Sequence, residues 1–183
     1  VRGVYHYGRR CELDIKLLIR DVPGFPAEGV VYRDLTPVWA NPEAMRYITD
    51  TVSEHLRFLQ TQAIAAIDAR GFIFGAPVAA RLDVPFVPIR KAGKLPPPVV
   101  GTDYQLEYGT GRLEVRTGAV EAGQNVAVID DLLATGGSAA AGVKLITSMG
   151  ANVVSVTVLV ELEFLNGRAS LPADLDVFSM VQY

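Results

Sequence analysis

Apolar residues recur along this chain in two different rhythms. Met45, Ile48, Val52, Leu56 and Leu59 fall on one face of a helical wheel. Ahead of them, Asn41-Pro42-Glu43 supplies a capping side chain, a proline for the first turn and then an acid, so the pattern predicts a helix over residues 42–60. Elsewhere the apolar residues come in short, nearly unbroken runs, at 63–68, 85–90, 125–131 and 151–162, with an alternating RLEVRT at 112–117. Runs of that kind fit strands buried on both faces. FGAPVAARL and GSAAAGVKLITSMG read as helices, the second closed by Gly150, and DVFSM as a last short strand. Leu13, Leu17 and Leu18 have helical spacing before PGFPAEG breaks the chain. KAGKLPPPVVGTDYQLEYGTG shows little periodicity and reads as a long loop that rejoins a strand near Leu106.

Strands alternating with helices predict an α/β domain around a mainly parallel sheet with helices on both faces. Ligands in such sheets bind beyond the carboxyl ends of strands, which directs attention to the residues after Asp68, Arg90 and Asp131. With 183 residues, half apolar and a fifth charged, the chain is long enough for one domain with a full core. A net charge of -3 gives no footprint for nucleic acid, and no apolar run reaches the roughly 18 residues of a membrane span. A small-molecule or protein partner fits better. The single Cys11 permits no intramolecular disulfide, in keeping with a cytoplasmic, reducing setting, and reads as an inert thiol. His6 and His55 show no metal-ligand spacing, and His55 is expected to face solvent. Residues 1–12 stand apart as an extension of unknown role, ahead of a single domain over 13–183.

The chemistry is concentrated in VAVIDDLLATGGS, residues 126–138. Two adjacent carboxylates, Asp130 and Asp131, disfavour one another unless donors or a cation compensate. After them, Ala134, Thr135, Gly136, Gly137 and Ser138 open a helix. Glycines let backbone approach an anion, a helix start offers free N–H groups, and two hydroxyls add donors. TGGS alone would be an ordinary strand-to-helix turn. The whole unit predicts a phosphate cradle beside a diol site, as a ribose 5-phosphate would need. No lysine follows the glycines and the G-x-G-x-x-G spacing is missing, so neither a Walker loop nor a dinucleotide fingerprint is present.

VIDDLLATGGS resembles the phosphoribosyl-pyrophosphate signature of the type I phosphoribosyltransferases, and DDLLATGG looks like the adenine-specific branch of that family. FPAEGVVYRDLTP is similar to the family's base-binding hood, DARGFIFG to its pyrophosphate loop, IRKAGKLP and YQLEYG to the borders of its flexible loop, and LVEL with LNGR to a late strand and turn. The resemblance implies a type I phosphoribosyltransferase fold, with a hood mainly within 13–40 and a flexible loop at about 91–108. It also implies transfer of a phosphoribosyl group from phosphoribosyl pyrophosphate to adenine, giving AMP and pyrophosphate. Mg²⁺ is implied as a partner of the polyphosphate, and a homodimer as the assembly. Another base, such as a 6-oxopurine, or a non-catalytic regulator binding the same sugar phosphate are the alternative readings.

By the same resemblance, Asp130 and Asp131 hold the ribose hydroxyls and residues 134–138 the 5-phosphate. Arg70 binds pyrophosphate on a turn with a cis peptide at Ala69–Arg70. Arg90, Lys91 and Lys94 add cations for the polyanion, Lys91 toward a partner subunit's site. Val31, Tyr32 and Arg33 make the base pocket. The Val31 backbone faces the 6-amino group and ring N1, Tyr32 stacks on the purine, and Leu132 covers its other face. Glu107 accepts or relays the proton that N9 loses, and Tyr108 closes over the site. Pro97 stands where the family usually has glycine, Ala69 where it commonly has serine, and Ser138 where it has threonine.

Overall fold

The computed structural model describes residues 13–105 and 110–183, which fall into two compact units divided between Tyr47 and Ile48. In the first unit the described chain opens with a single 3-10 turn, Ile15–Leu18, in place of the helix suggested by its leucines. Of these Leu17 is left 82% exposed, so the spacing carries no packing face. Two short strands follow, β1 (Arg20–Pro23) and β2 (Val31–Asp34), paired antiparallel across the PGFPAEG turn. A one-turn helix α1 (Thr36–Trp39) leads to α2 (Pro42–Phe58). The cap of α2 is as the sequence predicts, with Asn41 Oδ1 accepting from the backbone N–H of Glu43 at 3.0 Å and of Ala44 at 3.2 Å.

The second unit is built on a seven-stranded sheet among the described residues. Its strands are β3 (Ala63–Ile67), β4 (Phe86–Lys91), β5 (Val99–Gln105), β6 (Thr110–Arg116), β7 (Asn125–Leu133), β8 (Asn152–Glu161) and β9 (Asp176–Gln182), in the order β5-β6-β4-β3-β7-β8-β9. Strands β4, β3, β7, β8 and β9 run parallel, and β6 and β5 close one edge as an antiparallel hairpin. Much of the expected long loop is therefore strand: residues 99–105 pair residue for residue with 110–116.

Alternation along each strand divides the core between two layers. Ala63, Ala65 and Ile67 of β3, with Val126 and Val128 of β7, share a buried cluster with Ala141, Leu145 and Ile146 of α4 (Gly137–Ser148). Helix α3 (Gly71–Leu82) packs on the other face, where a methyl group added at Gly75 would lie 2.7 Å from the Ala66 Cβ. Ile48 and Val52 of α2 share a small apolar cavity with Phe74, Ile129, Leu159 and Met180. The connection after β3 runs through α3 to β4 on one side, and that after β7 runs through α4 to β8 on the other. The ends of β3 and β7 thus flank the point where the winding reverses, the place where open parallel sheets form a ligand crevice.

Candidate active site

Both carboxylates lie at the β7 side of this crevice. The strand does not stop at Asp131: Leu132 and Leu133 remain paired with Val160 and Glu161 of β8. The two aspartates are therefore held by sheet geometry. Asp131 is 2% exposed, and its backbone N–H donates to Asp130 Oδ1 at 2.9 Å. Asp130 borders the apolar cavity around Ile129 and Val158. Burial, then the neighbouring charge of Asp131, pushes its carboxyl well above the ordinary carboxylate range. Asp131 is also raised by burial, against the opposing pull of Arg70. Arg70 Nε lies 2.9 Å from Asp131 Oδ2, an ion pair by distance whose angle does not make an aligned hydrogen bond to that buried oxygen. The crevice thus holds a pair of neighbouring carboxylates, one of whose oxygens, Asp131 Oδ2, is buried without an aligned donor.

Beyond Leu133 the chain wraps a recess of ≈ 70 Å³, lined by Leu132, Ala134, Thr135, Gly136, Gly137 and Ser138. Gly136 takes φ +85°, a left-handed conformation that starts α4. A second reason for glycine is space: a methyl group here would sit 2.3 Å from the carbonyl oxygen of Gly167, in the turn after β8.

The sequence marks that turn only through the resemblance of LNGR. Ser170 Oγ donates to the Thr135 carbonyl at 2.9 Å. Arg168 grips Glu161 with Nε and Nη2 at 2.6 and 2.7 Å, and Ser179 Oγ donates to the same carboxylate at 2.7 Å. The Arg168 hydrogen bonds, chiefly, hold the Glu161 carboxyl down to about 2. The folded value is below the unfolded one, so this stabilisation is complete above about pH 4.5 and is lost as pH falls toward 2. Glu161→Gln is expected to flatten the pH dependence of urea unfolding in that window, removing about 1.4 kcal/mol per pH unit of slope. An unaltered slope between pH 4.5 and 2 would show that Glu161 carries no such linkage.

At the β3 side a non-proline cis peptide lies at Asp68–Ala69, one residue earlier than expected. Arg70 follows it, just before the first helical residue of α3. Arg90 is not an independent cation: its Nε donates to Asp68 Oδ2 at 3.0 Å and its Nη1 to the Lys94 carbonyl at 3.2 Å. Lys91 and Lys94 are exposed, at the end of β4 and on the turn that follows. That turn is tied to β6, since Glu114 Oε2 accepts from the Gly93 N–H at 2.9 Å. Arg116 Nη1 donates to the carbonyls of Pro96 at 2.7 Å and Pro97 at 2.6 Å, and Pro97–Pro98 is cis. The proline-rich stretch is thus anchored over 93–98. Glu107 and Tyr108 lie outside the described residues, between the paired Gln105 and Thr110, as do Cys11 and His6.

In the first unit, Val31, Tyr32 and Arg33 occupy β2. The Gly24 N–H donates to the Val30 carbonyl at 2.7 Å, and Val31 is paired with Pro23. Hydrogen-bonded and non-hydrogen-bonded pairs alternate in an antiparallel ladder, so Val31 is a non-hydrogen-bonded position. Its N–H and C=O point away from β1. Tyr32 meets Phe25 edge to face at 5.3 Å, and Arg33 pairs with Asp21.

His55 does not face solvent as expected. Its ring stacks on Phe178 at 4.5 Å and its Nε2 lies 2.8 Å from Asp176 Oδ2, which also accepts from Ser155 Oγ. The partner carboxylate lies 121 residues along the chain, beyond the reach of a local pattern.

The phosphoribosyl transferase domain family matches residues 39–181. The adenine phosphoribosyltransferase of Acaryochloris marina is 45% identical over 171 residues, 93% of this chain and 100% of its own. The crystal structure of adenine phosphoribosyltransferase from Thermoanaerobacter pseudethanolicus superposes with a TM-score of 0.88 at 46% identity, covering 92% of this chain and 98% of that one. The Saccharomyces cerevisiae enzyme, in complex with an imino-altritol 1,6-bisphosphate and adenine, superposes at 0.87 with 38% identity, over 91% and 96% of the two chains.

Proposed function

This chain belongs to the phosphoribosyl transferase family and, within it, to the adenine phosphoribosyltransferases, and from that premise we propose how its own residues carry the reaction. Adenine and phosphoribosyl pyrophosphate give AMP and pyrophosphate. The carrying observation is the crevice itself, where a recess walled by residues 132–139 adjoins two neighbouring carboxylates, one with a buried oxygen that lacks an aligned donor, and the Arg70 guanidinium. A ribose 5-phosphate answers both demands. Its phosphate takes the backbone N–H groups and hydroxyls of 134–138, and its 2- and 3-hydroxyls donate to Asp130 and Asp131. The yeast relative's complex pairs a bisphosphorylated sugar mimic with adenine, which supports the same division of the site.

N9 of adenine attacks the anomeric carbon as its bond to the pyrophosphate oxygen breaks. Charge grows on the departing pyrophosphate, where Arg70, Lys91 and Lys94 supply fixed positive charge. The N9 proton passes to the Glu107 carboxylate, and Tyr108 closes the site against water. Arg90 acts through Asp68, setting the loop that carries Arg70. The outward N–H and C=O of Val31 fit the ring N1 and 6-amino group of adenine, and a 6-oxopurine would meet the opposite pattern. Tyr32 supplies an aromatic face for the purine.

Mg²⁺ fits this donor set as a companion of the substrate. No group of three or more His, Cys, Asp and Glu side chains able to cage a metal occurs among the described residues. Phosphate, ribose and water oxygens would make up its shell, and it would neutralise charge on the leaving pyrophosphate. A homodimer belongs to the same proposal, with the exposed Lys91 directed at the neighbouring site, as does a cytoplasmic setting. No helix among the described residues is long and apolar enough to cross a membrane.

The test offers adenine, hypoxanthine, guanine and orotate in parallel with phosphoribosyl pyrophosphate and Mg²⁺. AMP is the expected sole product. Product from hypoxanthine or guanine instead would overturn the role given to Val31 while sparing the sugar-phosphate site.

A further inference from the structure

The 5-phosphate recess is made of backbone, and a loop of backbone donors is only as good as its placement. Glycine-rich loops do not hold one shape by themselves. What holds this one is the turn after β8. Gly136 and Gly167 approach so closely that a methyl group on either would strike the facing chain, at 2.3 Å from the Gly167 oxygen or 2.3 Å from the Ala134 oxygen. Ser170 adds its hydrogen bond to Thr135, and the Leu162 N–H donates to the Leu133 carbonyl at 2.9 Å. The turn in turn needs an anchor. It contains Asn166 at φ +52°, a left-handed conformation that asparagine tolerates better than most residues but that surrounding contacts must hold in place. Its tie to the sheet is the residue next to Gly167: Arg168 forks onto Glu161, the last residue of β8, only 3% exposed and paired in register with Leu133 of β7.

We propose that Arg168 and Glu161 are positioning residues for the 5-phosphate loop, setting Gly167 against Gly136 so that the loop's N–H groups converge on the phosphate. The proposal rests on the reading of the recess as the 5-phosphate site. The pair touches no substrate. It fixes the distance between β8 and the turn, the turn fixes the loop, and the loop binds. A planar two-bond fork sets both direction and distance, which a lysine ammonium cannot do.

A merely structural pair and a positioning pair leave different kinetic traces. Loss of folded protein lowers kcat in proportion and leaves KM alone. Misplacement of the loop weakens every ligand that carries the 5-phosphate and spares the base. Arg168→Gln and Arg168→Lys are therefore expected to raise KM for phosphoribosyl pyrophosphate, and the Kd for ribose 5-phosphate measured by calorimetry, by roughly tenfold to a hundredfold. KM for adenine and kcat at saturating phosphoribosyl pyrophosphate stay within about threefold, the range left when only uniform binding is lost. Ser170→Ala removes a single exposed contact and keeps the sheet anchor, so it folds even where the arginine variants do not. It is expected to raise the same Kd by roughly threefold to tenfold, the worth of one hydrogen bond. Native Kd for ribose 5-phosphate in folded Arg168→Gln or in Ser170→Ala would overturn the proposal. No binding of ribose 5-phosphate by the native chain would instead sink the reading of the recess itself.

Discussion

Asparagine in place of Asp130 is expected to melt at a higher temperature than the native chain without ligand, and to lose most of its affinity for phosphoribosyl pyrophosphate. Both outcomes follow from one fact of placement. Asp130 borders an apolar cavity and sits beside Asp131, and burial followed by that like charge raises its carboxyl well above the ordinary range. A carboxyl with a folded value above its unfolded one contributes most to stability at low pH. That contribution fades as pH rises from about 4 toward the folded value, so toward neutral pH the carboxyl weighs against the folded state relative to a neutral isostere. Asparagine keeps the shape and can still accept from the Asp131 N–H with its oxygen. It removes the charge that burial opposes. For a chain of this size each 1 kcal/mol relieved should appear as roughly 2–4 °C in Tm. In the role proposed for Asp130, the same change removes a carboxylate acceptor for a ribose hydroxyl, a hydrogen bond worth about 1.5–3 kcal/mol, or roughly tenfold to a hundredfold in Kd. Differential scanning calorimetry with and without phosphoribosyl pyrophosphate reads both effects. A lower Tm with intact binding would contradict the account, because it would make Asp130 a structural carboxylate.

The elements legible from sequence are those whose partners impose a continuous pattern. β3 and the stretch 126–129 of β7 are apolar through and through because helices cover both faces, and α2 announces itself through Asn41 and an unbroken face at Ile48, Val52 and Leu56. β5 was illegible for the opposite reason. VVGTDYQ lies in an antiparallel hairpin at the sheet edge and follows three prolines. Its strand character comes from pairing with β6. The strands β1 and β2 are four residues each and the first contains Pro23, so their pattern is too short to register. The site divided in the same way. Asp130, Asp131 and the glycines lie close together in the chain and could be read as one ligand-shaped unit. Glu161, Arg168 and Ser170 carry no local mark of their role, because it consists of bracing a loop far upstream, 35 residues away in the case of Ser170 and Thr135. Arg90 was legible as a cation, but its tie to Asp68 was not.

Alanine at Gly71 should cost far more activity than alanine at Gly75, although both place a methyl group against the same sheet from the same helix. The difference lies in what each would strike. At Gly71, the first residue of α3, the new carbon meets the Ile129 carbonyl oxygen at 2.7 Å and the Asp130 Cα at 3.1 Å. Both are backbone of β7 at the crevice, so neither can rotate aside. The start of α3 has to lift, taking Arg70 away from Asp131, or β7 has to yield and move the aspartate pair. At Gly75, one turn on, the carbon meets the Ala66 Cβ at 2.7 Å and the Phe86 ring at 3.3 Å, in the layer between helix and sheet. Overpacking costs about 1–3 kcal/mol at either position, offset in part by the better helix propensity of alanine, about 1 kcal/mol at an interior position. Only Gly71 couples that strain to Arg70 and the aspartate pair, the groups proposed to hold pyrophosphate and ribose. A displacement of about 1 Å there is expected to reduce kcat/KM by roughly a hundredfold. Gly75→Ala, assayed well below its Tm, should stay within a few-fold of native, since changes away from the chemistry act through stability. Thermal unfolding and steady-state kinetics on the two variants decide the matter. Equal losses of kcat/KM at matched stability would mean that the approach of α3 to Asp130 is packing alone. A large loss confined to Gly71→Ala would make the missing side chain at that position a requirement of the crevice.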